Sequence, residues 1–364
     1  MKVLQVFRAP VGGLFRHVRD LARGLNDLGH EVGVVCDSST GDELAEQRLS
    51  DLETHCKLGV TRVKMSRMPG PGDLSTASKV VSAASSLQPD IVHGHGAKGG
   101  AYARLAASRM GAKSVYTPHG GALHYKWASA QGFAFLTAEK LLLRKTSGLV
   151  FVCDYERQAF DGKVGLGHVA NVVAHNGLWD EEFEPVELQQ DCPDILFVGE
   201  LRALKGVDEL LDALAILNRD MPVRATITGA GPDAELFKAR AENLGLSPLV
   251  NFTGALPARE AFAKGWLMVI PSRAESFPYI VLETVAAAKP ILATMVGGIA
   301  EVLPDHRLLP PNDAALLAAR IKQALSDRDG EQQLANELAA RFRQQLSASA
   351  MSRKIADFYT SLAR

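Results

Sequence analysis

The sequence predicts an α/β protein made of two Rossmann-like, doubly wound domains that follow one another along the chain. The first observation is length, because 364 residues exceed the usual size of a single domain. The second is an alternation of short apolar runs with longer helical patterns, which is typical of a parallel sheet covered by helices on both faces. The third is that this alternation starts again in the second half of the chain.

The first half opens with an apolar strand pattern followed by an amphipathic helix. Leucine and valine recur at spacings of three and four between Leu14 and Leu28, which predicts a helix with one apolar face. The predicted strands of this half are Val3–Phe7, Val32–Cys36, Val60–Val63, Ile91–His93, Ser114–Tyr116, Leu149–Val152 and Val169–Ala174. They predict an N-terminal domain over residues 1–177.

The second half repeats the pattern after an acidic stretch without periodicity, residues 178–193, which we interpret as the linker between the domains. Its predicted strands are Ile195–Val198, Arg224–Thr228, Val250–Phe252, Leu267–Ile270, Ile291–Ala293 and Leu308–Leu309. They predict a C-terminal domain over residues 194–344. The helical tail, roughly Ala335–Ala363, is long enough for a C-terminal helix of about 345–364 to cross back onto the first domain.

Composition is that of an ordinary globular protein. The chain is 47% hydrophobic and 22% charged, with a net charge of -1 and a pI of about 6.8, which argues against a general attraction to nucleic acid. Its four cysteines are scattered without a CxxC pair, which argues against a zinc knuckle or a disulfide framework. The sequence contains no uninterrupted apolar run of about 18 residues, so no transmembrane helix is predicted. We therefore expect a cytoplasmic protein.

Two doubly wound sheets in series predict where a ligand binds. Ligands bind such sheets outside the carboxyl ends of the strands. Two sheets of this kind place two sets of strand ends opposite each other. We therefore expect the domains to face each other across a cleft that holds the active site.

The turn between the first strand and the first helix carries Gly12 and Gly13. A glycine pair there lets the backbone approach a ligand, and a helix N-terminus offers unpaired N–H groups to an anion. A tight turn without any ligand is an equally good interpretation. The full GxGxxG spacing is missing, which disfavours a dinucleotide.

Histidines follow two other strands. His93 and His95 end one strand, and His119 follows another. His93 and His95 share a strand face, so a metal site is conceivable, but no Asp, Glu or Cys completes a ligand set at a recognisable spacing. We predict no metal, and favour hydrogen bonding to a substrate or structural packing.

A basic pair follows the first strand of the second half. Arg202 and Lys205 stand between Gly199 and Gly206 and are suited to neutralising a diphosphate, which the glycines would allow to approach closely. A pair of solvated surface cations is the alternative interpretation.

The most specific pattern is a pair of glutamates, Glu275 and Glu283, separated by seven residues. Pro278 suits the first turn of a helix, so Glu275 should precede that helix and Glu283 should lie within it. Glu283 falls in an apolar run, where an inward-facing charge needs a partner such as a ribose diol. The alternative is a Glu275 that only stabilises the helix dipole and an exposed Glu283.

In this order, the motifs resemble those of the family 4 retaining glycosyltransferases of GT-B fold, and the resemblance covers nearly the whole chain. The matching motifs are Gly12-Gly13, Gly29-His30-Glu31-Val32, Pro89-Asp90-Ile91-Val92-His93-Gly94-His95, Thr117-Pro118-His119-Gly120, Asn176-Gly177, Gly229-Ala230-Gly231-Pro232, Glu275 with Glu283, and Gly297-Gly298-Ile299-Ala300-Glu301-Val302. Each motif is weak by itself, whereas the ordered set is specific.

The resemblance implies a role for each candidate residue. The implied catalytic residues are Glu275, His119 and Lys205, with Glu275 and His119 at the donor sugar and Lys205 at the diphosphate. The implied donor-binding residues are Gly13, Arg202, Lys205, Gly229, Glu275, Ser276, Phe277, Pro278 and Glu283, the last at the ribose hydroxyls. The implied acceptor-side residues are Gly12, His95 and His119.

Two positions depart from the family pattern. Glu200 stands where an arginine is more frequent, which puts the role of Arg202 in question. Pro278 stands where glycine is common, and it removes one backbone donor.

The resemblance also implies an activity. A sugar would pass from a nucleotide-diphosphate sugar to a sugar or lipid-linked acceptor, with retention of configuration and without a metal or other cofactor. Bacterial cell-surface polysaccharide or lipid-linked glycan synthesis would be the setting. The alternatives are a nucleotide-sugar 2-epimerase of GT-B fold and a non-catalytic nucleotide-sugar-binding protein.

Aromatic and basic residues interleave between Tyr125 and Lys145, as they do in segments that lie on membranes. One interpretation is a peripheral contact with the inner face of the membrane through Lys126, Arg144 and Lys145. The other, which we favour, is a core helix whose charged ends reach solvent.

Overall fold

The chain divides into two compact units in the computed structural model, which describes residues 1–41, 43–68 and 70–363, without the side chains of Ala122 and His124. Unit 1 comprises Met1–Gly177 and Ala348–Arg364, and unit 2 comprises Leu178–Ser347. Arg364, the last residue of the predicted C-terminal helix, lies outside the described residues.

Unit 1 is built on a seven-stranded parallel sheet in the order β3-β2-β1-β4-β5-β6-β7. Its strands are β1 Lys2–Phe7, β2 Glu31–Asp37, β3 Val60–Val63, β4 Ile91–His95, β5 Lys113–Thr117, β6 Gly148–Phe151 and β7 Ala170–Val173. The central strands are buried along nearly their whole length, as expected for a sheet covered on both faces. The strand order reverses between β1 and β4.

The first six helices all belong to unit 1. They are α1 Gly12–Asp27, α2 Glu43–Glu53, α3 Gly72–Leu87, α4 Gly96–Met110, α5 Ala130–Leu143 and α6 Asp154–Lys163. Helix α1 buries Val18, Leu21 and Leu25 at the spacing that predicted it. It begins at Gly12, two residues before the predicted start, so the glycine pair forms its first turn.

Unit 2 is built on a six-stranded parallel sheet in the order β10-β9-β8-β11-β12-β13. Its strands are β8 Ile195–Val198, β9 Ala225–Thr228, β10 Val250–Gly254, β11 Leu267–Ile270, β12 Ile291–Thr294 and β13 Leu308–Leu309. Its helices are α7 Val207–Leu217, α8 Ala234–Asn243, α9 Ala258–Phe262, α10 Tyr279–Ala286, α11 Ala314–Ser326 and α12 Arg328–Gln345. Strand order reverses here between β8 and β11, so the predicted fold class of two doubly wound α/β sheets is confirmed.

The acidic stretch 178–193, interpreted above as a linker, is grouped with unit 2. Three of its apolar side chains, Leu178, Trp179 and Phe183, are buried, and the backbone N–H of Gln189 donates to the carbonyl of Ala263 at 2.9 Å. The acidic residues that make the stretch look solvated therefore alternate with anchoring apolar ones.

The helical tail predicted over roughly Ala335–Ala363 consists of two helices, and the second corresponds to the predicted C-terminal helix of about 345–364. Helix α12 ends at Gln345, and a last helix, α13 Ala348–Ala363, follows in unit 1. The break has a local cause, because the Leu178 N–H donates to the Leu346 carbonyl at 2.9 Å and Leu178 forms a bridge with Ser347. None of the described helices combines the length and apolar character needed to cross a membrane.

Candidate functional site

In unit 2 the structure brings Lys205 and Glu275 into direct contact. Lys205 ends a 3-10 turn that follows β8, and Glu275 follows β11. These strands are neighbours at the reversal of the sheet, the position where doubly wound sheets bind ligands. The Lys205 Nζ donates to Glu275 Oε1 at 2.6 Å, and the Ser272 hydroxyl donates to the same oxygen at 2.7 Å.

This ion pair is largely shielded from water but still reachable. The Glu275 side chain is 10% exposed and that of Lys205 is 23% exposed. A carboxylate with so little solvent depends on its hydrogen-bond donors, since a desolvated charge without partners is costly. Both donors approach Oε1. The structure therefore holds Glu275 in one orientation at the edge of the sheet.

The backbone around Glu275 is supported by a glycine turn. The Gly298 N–H donates to the Ser276 carbonyl at 2.6 Å, and a Cβ on Gly297 would lie 2.2 Å from the Glu275 carbonyl oxygen. Gly297 also has a φ of +59°, which side chains other than glycine rarely adopt. The Gly297-Gly298 motif therefore packs directly against the loop that carries Glu275.

Helix α10 begins at Tyr279, so Pro278 is its N-cap and not part of its first turn as predicted. Proline fits this extended N-cap position, with φ of -76° and ψ of 126°, because it fixes φ without needing a donor. Glu283 lies within α10 as predicted and is half-buried, and Phe277 is buried. The N-cap residue, Pro278, makes no side-chain cap of its own, and the alternative in which Glu275 only stabilises the helix dipole is left to experiment.

Two other predicted residues of unit 2 have structural partners of their own. Arg202, 41% exposed, reaches Glu200 at 3.4 Å and does not join the Lys205–Glu275 pair. The Gly229 N–H donates to Gly254 at 2.8 Å, and a Cβ on Gly229 would lie 1.8 Å from the Gly199 carbonyl oxygen. Close packing of these loops therefore requires a glycine at 229 whether or not a ligand binds.

In unit 1 four histidines pack together as one group, formed by His17, His93, His95 and His119. His95 Nδ1 and His119 Nε2 are 3.1 Å apart, and the rings of His17 and His119 have centroids 4.8 Å apart. His93 packs on His95 with centroids 4.1 Å apart, but both of its nitrogens are taken, by the Tyr359 hydroxyl at 2.6 Å and the Thr117 hydroxyl at 2.8 Å. His93 therefore has a packing role.

Buried polar groups hold the rest of the group in place. Gln5 Oε1 lies 2.5 Å from His95 Nε2, and Asn176 Oδ1 lies 2.9 Å from His17 Nδ1. An amide oxygen only accepts, so His95 carries its hydrogen on Nε2 and its Nδ1 accepts from His119 Nε2. This leaves the Nδ1 of His119 as an acceptor.

The turn that carries His119 is fixed by a buried carboxylate. His119 has a φ of +51°, an uncommon conformation for a residue with a side chain. Glu156, which is 1% exposed, accepts from the Gly120 N–H at 2.5 Å and from the Val152 N–H at 3.1 Å. This carboxylate compensates for the strain of the turn and sets the direction of the His119 side chain.

Burial keeps these imidazoles neutral. It lowers the pKa of His17 to about 4, against a hydrogen bond with Asn176 that acts in the opposite direction. It also lowers the pKa of His95 and of His119 well below the ordinary value, and neighbouring histidines add to the effect. The group therefore provides neutral hydrogen-bonding nitrogens at neutral pH.

Acid should destabilise the protein through this group. Because the pKa of His17 is lower in the folded chain than its ordinary value of 6.5, protonation favours the unfolded state. The neutral His17 therefore contributes stability that is fully present above pH 6.5. As the pH falls toward 4, the free energy of unfolding decreases by roughly 3 kcal/mol because of this residue. We expect the free energy of unfolding, measured by urea titration, to fall less steeply over this range in His17→Asn than in the wild-type protein. An unchanged slope in His17→Asn would contradict this assignment.

Three of these histidines could hold a metal ion. The nitrogens of His17, His95 and His119 lie within 4.8 Å of one another. In the structure the nitrogens of His95 and His119 are already joined by a hydrogen bond, so a metal would have to displace a proton.

The remaining predicted residues, Gly12 and Gly13, are exposed at the start of α1, where no side chain caps the helix. Sequence reasoning missed His17, Gln5 and Ser272. His17 had a signal, because it stands three residues after Leu14 and four before Leu21 on the apolar face of α1, which predicts a buried position. Gln5 and Ser272 had none, since their partners are distant or depend on loop geometry.

Two doubly wound units, each built on a parallel sheet, are the architecture of the class of GT-B proteins. The Anabaena protein Alr3699/HepE, solved with UDP and glucose, has this fold, with a TM-score of 0.82 at 20% identity over 99% of this chain and all of that one. A model for group 1 glycosyl transferases matches residues 180–345, and a model for the glycosyl transferase 4-like domain matches residues 12–177. The chain belongs to the group 1 glycosyltransferases.

Curated relatives agree with this assignment along most of their length. The glycogen synthase of Mycobacterium tuberculosis is 25% identical over 97% of this chain and 92% of its own. The D-inositol 3-phosphate glycosyltransferase of Frankia alni is 29% identical over 81% of this chain and 80% of its own. The chain is accordingly a glycosyltransferase.

Proposed function

We propose that this glycosyltransferase moves a hexose from a nucleotide-diphosphate sugar to an acceptor, with retention of configuration and without a metal. The observation that carries the proposal is the Lys205–Glu275–Ser272 contact at the reversal of the unit 2 sheet. It joins a cation suited to a diphosphate and a carboxylate suited to a sugar hydroxyl within one hydrogen-bonded group. The Anabaena structure with UDP and glucose supports a donor of this class.

On the donor side, we assign the diphosphate to Lys205 and to the backbone N–H groups near Gly13 and Ser276. Arg202 has only a distant, exposed partner, so it can turn to the diphosphate without breaking a strong contact. Glu283, half-buried in α10, is assigned to the ribose hydroxyls, and Glu275 to the transferred sugar. Phe277 and Pro278 shape the start of α10. Gly229 allows its loop to pack against Gly199.

On the acceptor side, we assign roles to Gly12, His95 and His119. The Nδ1 of His119 accepts a hydroxyl hydrogen, and Gln5 and His95 fix the ring state that makes this nitrogen an acceptor. His119 therefore orients a sugar hydroxyl as a neutral group, because burial holds its pKa far below neutrality.

The proposed reaction follows the front-face route of the family. The bond between the anomeric carbon and the diphosphate oxygen breaks, and the acceptor oxygen bonds to the same face of that carbon. The acceptor proton passes to the departing phosphate oxygen. Lys205 stabilises the charge that develops on the diphosphate, and Glu275 favours the positive charge that develops on the sugar.

A nucleotide-sugar panel and product analysis test this proposal. A ligand at 100 times its dissociation constant stabilises by about 2.7 kcal/mol, so the correct donor should raise the melting temperature clearly. We expect NMR of the product to show the anomeric configuration of the donor, and activity to persist in EDTA. An inverted product would contradict retention, and an epimerised nucleotide sugar formed without acceptor would point to the epimerase.

We further propose that the enzyme works at the inner face of a membrane in cell-surface glycan synthesis. Helix α5 and the segment before it leave large apolar side chains exposed, with Phe133 at 62%, Leu141 at 58% and Trp127 at 36%. The exposed Lys126 and Lys145 flank them. Such a strip suits an anionic lipid surface. If Lys126→Glu, Arg144→Glu and Lys145→Glu together leave sedimentation with anionic vesicles unchanged, the proposed membrane contact is wrong.

A further inference from the structure

Unit 1 contains a cavity of about 410 Å³ at the reversal of its own sheet. Residues that follow β1 and β4 line it, together with His95, the last residue of β4. Helix α4 starts here and is held tightly against the sheet, since a Cβ on Gly99 would lie 2.4 Å from the Val6 carbonyl oxygen. Close packing of α4 against β1 therefore fixes Gly99, one of the residues that line the cavity in unit 1.

The lining of this cavity is cationic. Arg8 and Arg67 both face it, and neither makes an ion pair with another residue that the structure describes. Lys98 also lines it, but its charge is compensated by Asp73 and its ammonium further donates to the Met68 carbonyl at 3.2 Å. Within the described lining, no residue is acidic. Among the described residues, therefore, two guanidinium groups line one cavity without an ion-pair partner.

Apolar side chains also line the cavity. Val11, Leu14 and Met68 contribute aliphatic surface, and Tyr125 and Phe135 add two rings whose centroids are 5.0 Å apart. An anionic group and an apolar or sugar-ring face can therefore be bound side by side.

We propose that this cavity binds the phosphate of a phosphorylated acceptor, a sugar phosphate ester or a lipid-linked diphosphate. The inference rests on the proposed function, because it takes unit 1 to be the acceptor side. A phosphate carries close to two negative charges and accepts paired hydrogen bonds from guanidinium groups, which matches Arg8 and Arg67 in number and chemistry. A neutral acceptor would offer neither guanidinium group an opposite charge. Helices α1 and α4 begin next to residues of the lining, and their N-cap residues, Val11 and His95, make no side-chain cap, so their first turns offer backbone donors.

Calorimetric titration of the full-length protein tests this inference. The protein is first saturated with the nucleoside diphosphate that gives the largest thermal shift, so that phosphate probes cannot enter the donor site. The probes are glucose 6-phosphate and farnesyl diphosphate, each paired with its uncharged counterpart, glucose or farnesol. We expect saturable binding of at least one phosphorylated probe at millimolar concentration or below, and at least tenfold weaker binding of its counterpart.

Charge-neutral variants locate the site. Arg8→Gln and Arg67→Gln should each lower the affinity for the phosphorylated probe by at least about tenfold, as expected for losing a hydrogen bond to a charged group. Arg109→Gln, at the exposed far end of α4, removes the same charge and should leave the affinity unchanged. Tighter binding of farnesyl diphosphate would identify a lipid-linked source, and tighter binding of glucose 6-phosphate a soluble one.

The outcomes separate this inference from the proposed function. Normal nucleotide binding together with no saturable phosphate binding, or with phosphate binding that neither arginine affects, overturns the cavity assignment alone. Failure of every nucleotide and nucleotide sugar to bind the wild-type protein counts against the proposed donor reaction.

Discussion

Replacing Glu275 with Gln is expected to slow turnover at least about a hundredfold while the donor KM stays near its wild-type value. The amide oxygen of the variant can still accept from Lys205 and Ser272, so the orientation seen at 2.6 and 2.7 Å is retained. What is lost is the negative charge beside a sugar that becomes positive as its bond to the diphosphate breaks. Losing one preorganised electrostatic contact of this kind costs roughly a hundredfold to a thousandfold in kcat.

Glu283→Ala is the matched comparison for this variant. Glu283 is assigned to the ribose, which does not change during the reaction, so its removal should raise the donor KM with a smaller effect on kcat. If Glu275 acted only on a helix dipole, Glu275→Gln would cost a few tenths of a kcal/mol in stability and leave kcat intact. Measuring kcat, KM and melting temperature on both variants decides between the two. A Glu275→Gln enzyme with near wild-type kcat would refute the catalytic assignment.

Replacing Lys205 with Ala is expected to weaken binding of the nucleoside diphosphate tenfold or more, as measured by calorimetry. A hydrogen bond from an ammonium to a charged group contributes about 1.5–3 kcal/mol. In the ligand-free structure this ammonium is held by Glu275, so it is already positioned at the sheet edge. Arg202→Ala should have a smaller effect, because Arg202 is more exposed and paired only at 3.4 Å.

A double variant separates direct binding from an effect through Glu275. Removing Lys205 also leaves Glu275, which is 10% exposed, without its cation. In a Glu275→Gln background that secondary effect is absent. We expect Lys205→Ala to lower the affinity for the nucleoside diphosphate by a similar factor in the wild-type protein and in the Glu275→Gln variant. An unaltered affinity in the Glu275→Gln background would remove Lys205 from the diphosphate site.

The candidate sites divide into parts that local sequence predicts and parts that it does not. The glutamate pair, the position of Glu283 in a helix and the strand before Lys205 follow from spacing and apolar runs. The start of α10 was misjudged by one position, because proline is accepted both at the N-cap and in the first turn. The sequence already put the role of Arg202 in question, and the fold adds that it pairs with Glu200 and not with the Lys205–Glu275 group.

The sequence by itself determined the two parallel sheets, since their strands are continuous apolar runs whose burial on both faces leaves no other arrangement between helices. It likewise placed the candidate residues after the strands from which their loops emerge. Only the tertiary structure decided which of them meet. The contact of Lys205 with Glu275 spans 70 positions, and that of His17 with Asn176 spans 159. Such contacts depend on which strands become neighbours in the sheet, a long-range pairing that no local propensity or spacing encodes.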